Sequence, residues 1–306
     1  MNILSLENYQ TWSWSCILTD MIAKGLLSDI YINRTVLHKN LELSGPFIDA
    51  HDLFLFQNVD ALRLLDQVPS KKVVVRMGGI DIRGLADMTE CTKYDEGLQK
   101  VGAIVSTNTK LHSLALRNNL NSYLIPNGID LEAFSPREHL PNERFVVGFA
   151  GNVNDMRHMT YKGYAIIAGA VTSLYNEVDF TTALYKHKQI PHARMVPDFY
   201  HKIDCLVSAS IDEGCSNVIM EALACGVPVI CTQVGYHGER LAHKENCLFI
   251  KRTISSIADA ISRLKEDVVL YSKLSAAGRA FAVQHHDIRN VVEAYRKVIS
   301  KVLTLE

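Results

Sequence analysis

Short continuous apolar runs alternate with segments of helical period along almost the whole chain. In the first half the runs are "NILSL", "DLFLF", "KVVVRM" and "AIVST"; after residue 140 they are "RFVVGFAG", "VDFTTALY", "DCLVSAS", "VPVICT" and "CLFI". Each is followed by a polar or helix-forming stretch. A strand with one wet face alternates apolar and polar residues, whereas a run that is apolar throughout is covered on both faces. The pattern predicts parallel strands sandwiched by helices, a doubly wound α/β arrangement, and it occurs twice.

A chain of 306 residues exceeds most single cores, which also favours two domains. Pro136 and Pro141 bracket the polar stretch "SPREHLPNERF", and a fresh strand starts at Phe145. This places an N-terminal Rossmann-like domain at 1–137 and a C-terminal one at 138–290. The remaining segment, 291–306, belongs to a helix of about Ile288 to Leu303. Val291, Val292, Ala294, Tyr295, Val298, Ile299 and Val302 share one face of it, and it is expected to pack back on the N-terminal domain.

Composition narrows the partners. The formal net charge is −1, so no overall field draws the chain to nucleic acid or an anionic membrane. The first 135 residues are slightly acidic and the remainder slightly basic, as a phosphate-binding second domain would be. There are 7 cysteines, no CxxC and no zinc-ligand spacing, which suggests free thiols in a reducing cytoplasm. "MNILSLENYQ" has no signal-peptide pattern, and no run of about 18 apolar residues would span a membrane. No metal and no cofactor are expected, and the oligomeric state is not legible.

Chemistry concentrates in "SASIDEGCSNVIMEALACGVPVICT". A strand ends near Ser208, a turn carries Glu213 and Gly214, and a helix opens near Asn217. The backbone N–H groups of Cys215, Ser216 and Asn217 stand at the electropositive helix start, which suits a phosphate. Such turns lie at the C-terminal ends of strands, where doubly wound sheets bind ligands. Glu213 and Glu221 are separated by about 12 Å along the axis, so they suit opposite ends of an extended ligand. On spacing alone, a capping Glu213 and a paired surface Glu221 are the favoured explanation of the pattern. In "FVVGFAGNVNDMRHMTYKG", Gly151 permits close approach of backbone to ligand, a helix is expected to open near Tyr161, and Arg157 and Lys162 could neutralise a diphosphate. "YLIPNGIDLEAFSP" reads only as a tight turn.

Taken in order, "IPNGID", "GFAGN…YKG" and "DEGCSNVIMEALACGVPVI" resemble the retaining nucleotide-sugar glycosyltransferases of the GT-B fold, family 4, whose signature is E-x7-E. The resemblance is strong from about Leu124 to Phe249 and weak before Val101. It implies two Rossmann-like doubly wound domains facing a cleft, with the nucleotide-sugar held mainly by the second. It implies further that Glu213 takes the donor sugar hydroxyls and Glu221 the ribose hydroxyls. The turn Gly214, Cys215, Ser216 and Asn217 would receive the diphosphate, with Lys162 and Arg157 as cations. Gly151, Asn152 and Met195 complete the donor side, and Glu213 and Lys162 are the catalytic pair. The reaction implied is metal-independent transfer of a hexosyl or pentosyl unit to an acceptor hydroxyl with retention, on a carbohydrate, a small molecule or DNA.

The chain departs from the family pattern. Asn152 stands where members usually carry an Arg, "TWSWSC" replaces a Gly-rich loop, and "VVVRMGGIDIRG" lacks the usual His-Gly pair. Acceptor contacts therefore rest on the residues themselves. Trp12 and Trp14 suit interface packing or stacking on a flat acceptor. Arg76 and Asp81 flank a Gly-Gly turn at a strand end. Two other readings stay open: a phage-type DNA glycosyltransferase acting on hydroxymethylated bases, and a non-catalytic nucleotide-sugar-binding module. Scattered histidines, His192 among them, read as surface or core residues.

Overall fold

A computed structural model describes residues 1–7, 29–36, 41–78, 92–118, 120–136, 143–185, 187 and 189–304. The contacts divide the chain into two units, Met1–Gly128 with Ile288–Glu306, and Ile129–Asp287. The division falls at Gly128, ahead of the proline-bracketed stretch. Residues 129–136 belong with the second unit for identifiable reasons. Ile129 N donates to the His286 carbonyl at 2.7 Å, Arg279 donates to the Phe134 carbonyl at 2.8 Å, and His201 Nε2 lies 2.9 Å from the Ser135 carbonyl.

The first unit holds a six-stranded parallel sheet of β1 (Asn2–Glu7), β2 (Tyr31–Val36), β3 (Leu53–Phe56), β4 (Val73–Met77), β5 (Ala103–Ser106) and β6 (Ser122–Leu124) in the order β2-β1-β3-β4-β5-β6. Side chains alternate between two cores. Leu4, Leu6, Phe54, Phe56, Val73 and Val75 meet a 3-10 helix (Val59–Gln67) and a helix at Thr109–Arg117. Ile3, Leu53, Leu55, Val74 and Val105 meet the C-terminal helix Ile288–Leu303 through its Val291, Val292, Tyr295, Val298, Ile299 and Val302 stripe. Fully burying one such aliphatic side chain is worth about 1.5–3 kcal/mol, so this helix is part of the first unit's core.

The second unit holds β7 (Phe145–Gly151), β8 (Val178–Leu184), β9 (Cys205–Ser208), β10 (Val229–Cys231) and β11 (Leu248–Phe249), all parallel, in the order β11-β10-β9-β7-β8. Val147, Phe149, Cys205, Val207 and Ile230 face one core, while Leu206, Val229 and Cys231 face the other. Both faces are therefore dry, as the unbroken apolar runs require. The strand order reverses between β7 and β9, the place where doubly wound sheets bind ligands at the C-terminal ends of their strands. The cysteines described, 205, 215, 225, 231 and 247, are buried free thiols.

Candidate active site

The reversal point brings the end of β7 beside the end of β9, and Lys162 reaches it from α1 (Met156–Lys162). This short helix lies in the stretch read as a polar loop, ahead of a helix at Tyr164–Ser173 that opens close to the expected Tyr161, and Asp155 caps it: its Oδ1 accepts from the His158 N–H at 2.8 Å. It closes at Gly163, whose φ is +71° and whose absent side chain matters. A Cβ there would lie 2.5 Å from the Ala209 carbonyl oxygen. The helix end thus presses on the chain just past β9, and Ile211 N–H donates to the Tyr161 carbonyl at 2.9 Å. Arg252 locks the contact by donating to the carbonyls of Ala209 and Thr160. As a result Lys162 Nζ donates to Glu213 Oε1 at 2.6 Å, and Ser210 Oγ donates to the same oxygen at 2.7 Å.

Burial alone would push the Glu213 carboxyl up. The Lys162 charge and hydrogen bond and the Ser210 hydroxyl outweigh it and hold the group below its ordinary value. His237, from α2 (Gly235–Arg240), is completely buried. Its Nε2 lies 3.2 Å from the Thr232 carbonyl, so that nitrogen carries the hydrogen, while Nδ1 has no hydrogen-bond partner. Burial pulls its pKa down to about 4, partly opposed by the Glu213 charge and the Thr232 carbonyl. With the imidazole neutral, the positive charge bonded directly to Glu213 is that of Lys162.

A pH dependence follows with a definite sign. Between pH 6.5 and about 4 the unfolded chain takes up a proton that folded His237 refuses. Stability is therefore lost as pH falls through this window. A shift of that size corresponds to on the order of 3 kcal/mol. Glu213 adds loss of the same sign at lower pH. His237→Gln keeps an amide donor for Thr232 and is expected to flatten the dependence of the thermal midpoint from pH 6.5 to 4. An unchanged slope would remove His237 from this account.

The second glutamate stands on α3 (Asn217–Ala224) and is only 2% exposed. It is no surface charge. Tyr200 Oη donates to its Oε2 at 2.6 Å, and His192 Nε2 lies 3.2 Å from Oε1. Burial and then the Glu221 charge push the Tyr200 hydroxyl well above its usual pKa, so it remains a donor. Nor does Glu213 cap the helix: Ser216 takes the cap position, and its side chain makes no cap hydrogen bond. Gly214 is buried, and its carbonyl accepts from the Tyr236 N–H at 2.7 Å, which ties the Glu213 turn to the start of α2.

The other sequence candidates scatter. Gly151 ends β7, and Asn152 turns its Oδ1 to the Asn154 N–H at 3.0 Å in a local turn. Arg157 is exposed. It lies five positions from Lys162 on α1, so the two side chains leave the helix about 140° apart. Cys215 and Asn217 are buried at the opening of α3, and Met195 is packed among Phe199, Tyr200 and Ile219 in the core. Arg76 donates to Asn127 Oδ1 at 2.7 Å, inside the first unit. Trp12, Trp14 and Asp81 lie outside the described residues. Sequence reasoning missed Ser210, His237, Tyr200 and His192. Only Ser210 carried a local signal, three positions before Glu213 in the same strand-end loop.

Two parallel doubly wound units, the second with a lysine–glutamate pair at its strand-order reversal, define a GT-B fold, and solved structures agree. A sucrose-phosphate synthase from Thermosynechococcus elongatus superposes with a TM-score of 0.73 at 15% identity, covering 98% of this chain and 99% of that one. Anabaena HepE, crystallised with UDP and glucose, superposes with a TM-score of 0.72 at 16% identity, again covering 98% and 99%. At these identities the likeness is one of fold. Sequence goes further. The family described as "Glycosyl transferases group 1" matches residues 166–267. A Bacillus subtilis (strain 168) protein described as a teichuronic acid biosynthesis glycosyltransferase, TuaC, is 30% identical over 289 residues, covering 83% of this chain and 73% of that protein. The chain belongs to the group 1 glycosyltransferases.

Proposed function

We propose that the chain is a retaining, metal-independent enzyme that moves a hexosyl or pentosyl unit from a nucleoside-diphosphate sugar to an acceptor hydroxyl. The observation that carries the reading is the Lys162–Glu213 pair at 2.6 Å, set beside the N-terminal end of α3 at the strand-order reversal. Anabaena HepE binds UDP and glucose, which supports a sugar nucleotide as the donor. Glu213 accepts from the donor sugar's hydroxyls, and Glu221 accepts from the ribose. Lys162 and the helix N-terminus meet the diphosphate.

The acceptor oxygen attacks the anomeric carbon on the face from which the phosphate departs. The anomeric C–O bond to phosphate breaks, a C–O bond to the acceptor forms, and the acceptor's proton passes to the departing phosphate. The chain contributes orientation and charge, and no covalent intermediate on Glu213 is needed. The relative's description as a teichuronic acid biosynthesis glycosyltransferase makes intermediates of that assembly the first acceptors to test. Among the described residues no helix is long and apolar enough to cross a membrane, and the buried free thiols support a reducing cytoplasm.

The test is a panel of UDP-, GDP- and ADP-sugars, with release of the nucleoside diphosphate followed with and without acceptor. Turnover of at least one donor is expected, and binding without turnover across the panel would favour a non-catalytic module. Activity is expected to persist in EDTA, because Lys162 and the helix end supply the positive charge. Complete loss in chelator, restored by magnesium or manganese, would overturn metal independence. Retention is read from the anomeric configuration of the product by NMR.

A further inference from the structure

Glu221 is almost wholly buried, yet both of its oxygens are engaged by residues from outside its own helix. The two partners differ. Tyr200 is completely buried, with Phe199 and Phe134 edge-on to its ring at 5.2 and 6.0 Å. His192 opens a short 3-10 turn, His192–Arg194, and rests on Phe134 with ring centroids 5.3 Å apart. Its side chain is 15% exposed, against 3% for that of Glu221. His192 is therefore the most exposed member of the trio. A carboxylate only accepts, so His192 Nε2 carries the hydrogen that Oε1 receives.

We propose that His192 is an internal stand-in for the nucleotide: it occupies Oε1 of Glu221 in the free protein and is exchanged for a ribose hydroxyl when a nucleoside diphosphate binds. The proposal rests on the reading of Glu221 as the ribose carboxylate. The exchange conserves hydrogen bonds, since one donor to Oε1 replaces another. A buried carboxylate oxygen therefore never stands without a partner, a state that would be costly. Tyr200 holds Oε2 throughout and keeps the carboxylate from turning. The nucleotide must displace an existing bond, so His192 weakens its affinity by the worth of that bond. Truncating His192 leaves Oε1 unsatisfied in the free protein only, and binding then relieves the deficit.

Calorimetry with UDP, GDP and ADP, pursued with whichever of these the wild type binds, reads the sign of the effect. His192→Ala is expected to bind about five- to tenfold tighter than wild type. It should also lower the thermal midpoint of the free protein more than that of the nucleotide-bound protein. His192→Gln, whose amide reaches the same oxygen, should stay within about twofold of wild type. Weaker binding by His192→Ala would show that His192 touches the nucleotide itself, and unchanged affinity would show that it does not compete; either overturns the exchange. Glu221→Ala separates the two levels. Wild-type affinity in that variant, or no binding of any of the three by the wild type, would sink the ribose reading. Lost affinity in Glu221→Ala without tightening in His192→Ala sinks only the exchange.

Discussion

Replacing Glu213 by alanine is expected to cut turnover about 100- to 1,000-fold, the range seen when a group acting on the transition state is removed. Affinity for a bare nucleoside diphosphate should change little, because Glu213 is assigned to the sugar. Its bond to Lys162 sharpens the expectation. With Glu213 gone, Lys162 keeps its charge but loses the 2.6 Å bond that aims it. Lys162→Ala should therefore damage turnover to a similar degree and weaken the bare diphosphate as well. The two substitutions act on one pair, so the double variant should fall close to the worse single variant instead of multiplying the losses. Glu213→Gln retains an acceptor for Lys162 and Ser210 without the charge, and it should land between wild type and Glu213→Ala. Steady-state kinetics with calorimetry on the same preparations decides the matter. Equal loss of bare-nucleotide affinity in Glu213→Ala and Glu221→Ala would defeat the division of labour between the two glutamates.

The inner strands are readable because their apolar runs are buried on both faces, and that burial leaves its mark residue by residue. "KVVVRM" and "DCLVSAS" contain β4 and β9 with no polar alternation to confuse them. The Glu213 turn was readable for a local reason too, since strand, turn and helix follow in a few residues. The short helix bearing Lys162 leaves little mark because Asp155 caps it inside a polar stretch, whereas the apolar helix expected near Tyr161 follows at Tyr164–Ser173. The contacts divide the chain at Gly128 and not at the prolines, because prolines mark turns and not the loss of contacts: Arg279 and His201 hold 131–135 to the second unit across a long stretch of sequence. The residues around the two glutamates were hidden for the same reason. His192, Tyr200 and His237 come from separate elements, and their convergence depends on the strand order. A lone histidine in "QIPHARMVP" carries no mark of the carboxylate it meets.

Gly235→Ala tests whether the second unit's scaffold sets the Glu213 geometry. Gly235 has a φ of +57°, and a Cβ there would lie 2.7 Å from the Gly214 carbonyl oxygen and closer still to that of Glu213. Both obstacles are backbone and cannot swing away as a flexible side chain would. The left-handed conformation alone costs an alanine about 1–2 kcal/mol. To relieve the clash the Glu213 turn must part from the start of α2, breaking the 2.7 Å bond from Tyr236 N–H to the Gly214 carbonyl. The expected destabilisation is about 2–4 kcal/mol. Turnover per folded molecule should also drop, because a misplacement of about 1 Å at a reacting centre costs on the order of 100-fold. Gly226→Ala is the control. Its φ is +69°, but the atoms nearest its Cβ are side-chain atoms at 3.4 Å and beyond. It should lose stability from backbone strain while keeping its turnover. If Gly235→Ala keeps wild-type turnover in its folded fraction, as the control is expected to, the packing of α2 on the Glu213 turn is support for the fold and has no part in placing the carboxylate.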